Sequence, residues 1–278
     1  MIHLETDETH MIEPKRKHVM NIIINHVWFH STFKINYMRM KIFKNLTIVL
    51  LLLGITASAG AQFRRTVYGN KKVVKTERNI KGFYGVRVSS GIDVYLSQGN
   101  DEKVIVEADE NLHEYILTEL RDGIIHVYTN STIRNAEMKR VYVTMPEIRL
   151  ISTTSAGDVI GETPVRAANL KLSASSAGDI KLEVYADRIE LDISSSGDMT
   201  LTGEANFLKA GLSSAGDLNA SELKVKEAEV SVSSAGDAEI YVTERITARA
   251  SSAGDISYRG HPRYIDAHSS SAGSIRKR

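Results

Sequence analysis

A polar, glycine-centred pentad returns seven times along the second half of the chain. It reads TSAGD up to Asp158, then SSAGD or SSSGD up to Asp179, Asp198, Asp217, Asp237 and Asp255, and finally SSAGS at Ser274. The glycines are Gly157, Gly178, Gly197, Gly216, Gly236, Gly254 and Gly273, in steps of 21, 19, 19, 20, 18 and 19 residues. Self-similarity at a fixed period of this length marks a solenoid, in which each repeat stacks only on its neighbours. Every glycine has a serine two positions before it and an apolar residue two positions after it, from Val159 to Ile275.

Between the pentads the pattern has period two. Leu170 and Leu172 share one face, as do Ile180, Leu182 and Val184, then Ile189, Leu191 and Ile193. Lys, Glu and Asp occupy the alternate positions. Strict alternation predicts half-buried strands and opposes helix. Two or three strands of 3 to 5 residues per ~19-residue turn predict an all-β, parallel β-helix-like solenoid over residues 151–278, each coil pairing with the next at ~4.8 Å.

The pentad is then a corner. Glycine suits the φ > 0 that a tight change of direction often demands, and aspartate can bond nearby main-chain N–H groups in an Asx-turn. Small Ala and Ser let coils approach, and stacked serines can bond along the column. The column Asp158, Asp179, Asp198, Asp217, Asp237 and Asp255 has a second reading, as a calcium ladder. Calcium takes 6 to 8 oxygens, and its β-roll repeat is a tighter, glycine-richer nonapeptide. Six carboxylates ~4.8 Å apart repel by about 1 kcal/mol per neighbouring pair in water, which a cation or hydrogen bonds would offset. The structural turn is the better reading; no cofactor is required, and calcium is the one candidate.

Residues 80–150 are irregular but β-rich. SSGID around Gly91 looks like a degenerate first corner with one residue inserted before Asp93. QGNDEK reads as a hairpin, NLHEYILTEL as one helical turn capped by Asp109 or Asn111, and RVYVTMP as a strand ended by Pro146. This part is expected to cover the first coil's open edge and form one domain, 80–278, with the repeats. The closing RKR is expected to guard the other edge with charge.

Upstream, residues 38–61 have the order of a secretory signal peptide. Arg39, Lys41 and Lys44 precede an apolar run from Leu46 to Ile55, then Ala59-Gly60-Ala61. Residues 1–37 read as an over-extended start, with initiation at Met38 or Met40, and residues 62–79 as a linker. With no Cys in the chain, disulfides, thiolate metal sites and a lipidated cysteine are excluded. With 35 Lys+Arg against 34 Asp+Glu, nothing favours nucleic acid. The expected location is the periplasm or the cell surface, with no membrane span after cleavage.

FYGVRVSSGIDVYLSQG, then VIVEADENLHEYILTELRDGIIHVY, then tandem SSAGD repeats resemble the putative auto-transporter adhesin head (GIN) domain family over roughly Phe83 to Ser274. The resemblance implies a right-handed β-helix-like fold in Gram-negative envelope proteins, with a role in adhesion. A non-enzymatic binding module for a surface glycan or an envelope protein is therefore expected. Tyr84, Tyr95, Tyr115, Tyr128 and Tyr142 are either contact residues or ordinary strand tyrosines, the second being the plainer reading. An ion-stabilised envelope scaffold is the alternative. A polysaccharide-active enzyme is disfavoured: His113, His126, His261 and His268 are isolated, and the abundant Asp and Ser sit in the repeated corner. No catalytic residue is assigned.

Overall fold

The computed structural model describes residues 65–278, so the upstream extension and the signal-peptide segment lie outside the described residues. Among the described residues nineteen strands follow one another. The first nine are β1 (Thr66–Tyr68), β2 (Val73–Arg78), β3 (Gly85–Val88), β4 (Asp93–Gln98), β5 (Lys103–Asp109), β6 (Ile116–Arg121), β7 (Ile124–Thr129), β8 (Thr132–Arg134) and β9 (Lys139–Met145). Then come β10 (Leu150–Thr153), β11 (Asp158–Gly161), β12 (Val165–Ser175), β13 (Asp179–Ser194) and β14 (Asp198–Leu212). The last are β15 (Asp217–Val232), β16 (Asp237–Ala250), β17 (Asp255–Arg259), β18 (Tyr264–Ser269) and β19 (Ser274–Lys277).

From β10 onward every pairing is parallel and in step with the repeat, giving a β-solenoid. Asp179 lies beside Asp198, Asp198 beside Asp217 and Asp217 beside Asp237. The strands run longer than the sequence suggests. β13 to β16 cover nearly a whole coil each, because pairing continues through the second bend with only local register shifts, as at Thr200/Thr202. The alternating apolar residues all point inward: Ile180, Leu182 and Val184 on one side of a coil, Ile189, Leu191 and Ile193 on the other, all buried. About six such side chains per coil, at ~1.5–3 kcal/mol each, supply the drive for stacking.

The corner differs from expectation in a specific way. The glycines are not the left-handed residues; the Ser and Ala before them are. Ser176 and Ala177 have φ of 52° and 59°, and the same pair of positive values recurs at all seven pentads. With Gly178 N–H donating to Ser175 O at 3.1 Å, this is a mirror-image β-turn of the I′ kind, which needs φ > 0 at both central residues. Glycine is required for space instead. A Cβ on Gly197 would sit 2.7 Å from the main-chain carbon of Ala174 in the coil before, and one on Gly273 2.6 Å from that of Ala250. Left-handed Ser and Ala cost about 1–2 kcal/mol per residue, less than each coil's buried rows return. Main-chain bonds run through the corner unbroken: Ala177 N–H to Ser195 O and Asp198 N–H to Gly178 O.

SSGID proves to have no insertion. Ser90 and Gly91 carry the two positive φ values, and Gly91 N–H donates to Ser155 O as Ala156 N–H does to Ser176 O. Ile92 thus occupies the glycine's place, fully buried. Asp93 pairs directly with Asp158 and heads the aspartate column.

The N-terminal part closes one end, though not in sequence order. β3 and β4 form a coil on which β10 and β11 stack, and β7 and β9 stack parallel beneath that same coil. Beyond them β6 pairs antiparallel with β7, β5 antiparallel with β9, and β2 antiparallel with β5. QGNDEK is therefore not a hairpin, because β9 lies between β4 and β5. The NLHEYILTEL segment opens with a single 3-10 turn, Glu110–Leu112, followed by β6. Asp109 makes no side-chain cap there. Its buried carboxylate accepts N–H from Lys71 (2.8 Å), Glu137 (2.9 Å) and Met138 (3.1 Å), tying three segments together. The linker expected over 62–79 is corrected from Thr66 on. It carries β1, paired with β8, and β2, whose largely exposed, charged side chains give it a linker's composition.

Candidate functional site

The repeated corner dictates one long edge of the solenoid; the second bend of each coil carries the variety. Two ladders flank that bend. In register along the first stand Arg166, Tyr185, Glu204, Lys224, Tyr241 and Arg259. Along the second stand Asn169, Arg188, Phe207, Glu227, Arg245 and Tyr264. Between them Ala167, Ala186 and Ala205 are short, which leaves a groove of about 1170 Å³ running across the coils.

Its walls are ordered. Three aromatics in register with an arginine are stacked by it: Arg166 lies 4.6 Å from the Tyr185 ring centre, Arg188 4.2 Å from Phe207 and Arg245 4.7 Å from Tyr264. Such stacks fix otherwise flexible arginines, and Arg188 and Arg245 are held further by Glu190 at 2.8 Å and Glu227 at 3.8 Å. Gly260, with φ of 97°, approaches the Tyr241 ring so closely that a Cβ would lie 2.9 Å from it. Lys224, Lys226 and Arg263 line the same groove as Asp187, Glu204 and Glu244, and Asn206 donates to Asp187 at 2.9 Å. Flat aromatic faces beside forked donors and carboxylate acceptors suit an elongated polar ligand that has apolar faces of its own.

The aspartate column stands on the opposite corner. Asp93 and the six expected aspartates form one in-register line, with Arg140 beside Asp93 at one end. At the other end Asp255 meets Ser274 Oγ at 2.5 Å and Arg276 at 3.3 Å. Partial burial, then the neighbouring aspartates, pushes the carboxyls of Asp158, Asp198, Asp217 and Asp237 above the usual range. Asp158 and Asp217 do not close Asx-turns in their own corner, and the main-chain N–H groups of Asp179 and Asp237 in the next coil donate to Gly157 O and Gly216 O, each at 3.2 Å. Among the described residues no three or more His, Cys, Asp and Glu side chains converge as a metal-holding group. A line presents carboxylates side by side, whereas calcium needs them wrapped around a point.

Of the N-terminal tyrosines, Tyr115 packs against the core, and the others meet one another or cations. Tyr95 and Tyr142 stack at 5.3 Å with Arg140 and Lys75 over them, and Arg149 lies over Tyr84. The four histidines stay apart: His113 bonds the main-chain oxygens of Val74 and Ala108, while His261 lines the groove without the other three.

A model of the family described as putative auto-transporter adhesin, head GIN domain, matches residues 82–262. The chain belongs to that family. Solved structures repeat the fold. A putative adhesin from Bacteroides fragilis superposes with a TM-score of 0.73 at 21% identity, over 76% of this chain and 100% of its own. One from Parabacteroides merdae gives 0.62 at 18%, over 77% and 99%. A putative lipid binding protein from Parabacteroides distasonis gives 0.64 at 21%, over 77% and 100%. At these identities the likeness is one of fold. No curated protein matches the chain. Membership of the GIN family supports a binding role and a place outside the cell or on its surface. No helix among the described residues is long and apolar enough to cross a membrane.

The groove escaped the sequence reading because it has no repeated motif. Arg, Tyr, Glu, Lys, Tyr and Arg follow one another down the first ladder, and only knowledge of the register shows that they share a wall. The available signal was negative: this is the stretch of each repeat where self-similarity stops.

Proposed function

We propose that this GIN-family protein is an exported, non-enzymatic binding module of the cell envelope, and that the second-bend groove holds an extended glycan chain. The groove carries this reading: Tyr185 and Tyr241 on one wall and Tyr264 on the other, interleaved with arginines and carboxylates, line it across several coils. A sugar chain offers alternating apolar faces and hydroxyls, which such a wall meets with stacking and with charge-assisted hydrogen bonds. The family description favours a binder over an enzyme, and the groove's acid and base groups are spread along its length rather than gathered at one point. The aspartate column is read as part of the turn, with calcium as a test rather than a requirement.

The experiment is a glycan-array screen, followed by titration of the best chain against Tyr241→Ala and Arg166→Ala. Each variant is expected to weaken binding about tenfold, since a stacking or bidentate contact is worth on the order of 1–2 kcal/mol. Binding that survives both changes undiminished, or turnover of any polysaccharide, defeats the reading.

A further inference from the structure

The two halves of the groove differ in charge. Where Arg166, Tyr185 and Glu204 form the wall, the floor is alanine, and Arg166 is outnumbered by Asp187 and Glu204. In the following coils Lys224, Lys226, Arg245 and Arg263 stand against Glu227 and Glu244. Glu227 is taken by Arg245. Among the described residues the side chains of Lys224, Lys226 and Arg263 make no ion pair or hydrogen bond, and all three are exposed.

The main chain changes at the same place. β15 and β16 fall out of register twice, between Ala220 and Lys224 and between Val225 and Glu227. The second shift sets Lys226 against two residues, Thr243 and Glu244, which is a bulge. One coil on, residues 260–263 leave the strands altogether between β17 and β18. Bulges re-aim side chains and recur beside binding sites. Here the irregular bend gathers cations that the chain leaves unpaired.

We propose that this half of the groove takes an anionic group. Granted the glycan site proposed above, on which this depends, the ligand is an acidic chain carrying carboxylate or sulfate. It lies in one direction, with uncharged rings over the alanine floor and the acidic group among Lys224, Lys226 and Arg263. The lysines supply point charges, and Arg263 a planar fork matched to a pair of acidic oxygens. No internal ion pair has to break before these three can bind.

An array of neutral, uronate-bearing and sulfated glycans, probed with the full chain, tests this. The retained glycans are expected to be acidic ones, released as salt is raised. Lys226→Glu with Arg263→Glu, at exposed positions, is expected to fold normally by circular dichroism and to weaken their binding at least about tenfold. Glu244→Gln, nearly isosteric on the same bend, is expected to strengthen it, a readout independent of how the paired variant folds. Neutral glycans held as tightly as acidic ones, or acidic binding indifferent to these changes, overturn the anionic subsite and leave the glycan groove standing. An array on which no glycan of any class is retained overturns both.

Discussion

At the corner, neighbouring residues do opposite jobs. Gly197 is there because the coil before leaves no room for a Cβ, and its neighbours because two left-handed residues make the turn. Gly197→Ala is therefore expected to cost about 1–3 kcal/mol through overpacking against main chain. Ala177→Gly, which relieves a positive φ of 59°, is expected to cost nothing or to stabilise by up to about 1 kcal/mol. Urea unfolding of the two variants checks the contrast; a corner that relied on glycine for its conformation would give equal losses. The aspartates beside the glycines carry a pH signature. Burial and their neighbours raise the carboxyls of Asp158, Asp198, Asp217 and Asp237 in the fold. Their contribution is complete below the unfolded value of about 3.9 and is lost as pH rises through the folded values. Asp217→Asn should accordingly raise the melting temperature at neutral pH, with the gain vanishing below about pH 4. A gain independent of pH would point to packing, and one that appears only in chelator would point to a cation.

Strands are the scale at which the sequence was most legible, and also where it stopped being so. Period-two alternation placed the inward rows of β13 to β16 correctly, because burial on one face leaves a direct trace in composition. The partner of a strand leaves no such trace. β4 and β5 are separated only by residues 99–102 yet are parted by β9, and β1 and β2 look like linker because edge strands bury so little. The groove failed for the same reason: its walls are made of partners, not of neighbours in sequence. Asp109 shows how much such hidden partnership carries. Burial alone would push its carboxyl up, but N–H groups of Lys71, Met138 and Glu137 outweigh that and hold it below the usual range. Its contribution is present above the unfolded value and lost as pH falls through the folded one. Asp109→Ala is expected to cost about 3 kcal/mol by stranding buried donors. Hydrogen exchange should show β1 and β8 opening first in that variant; uniform loosening would contradict the clamp.

Across the whole molecule, invariance and variety are assigned to different corners. One corner repeats because every coil must turn there; the other differs from coil to coil and is free to be shaped for a ligand. The same division explains why a recurrent acidic residue, the most conspicuous feature of the sequence, sits in the turn and not in the groove. The coil formed by β3 and β4 has a consequence for how the protein is made. It is sandwiched between strands that follow it, β7 and β9 on one side and β10 and β11 on the other. A chain emerging amino end first must hold that coil unfinished until Met145 has appeared, so closure of the long loop is the slow step. Once it closes, each later repeat finds its template ready and adds within one ~19-residue stretch of fresh chain. Assembly is thus a delayed start followed by a ratchet, a sequence of events suited to a polypeptide threaded through a pore.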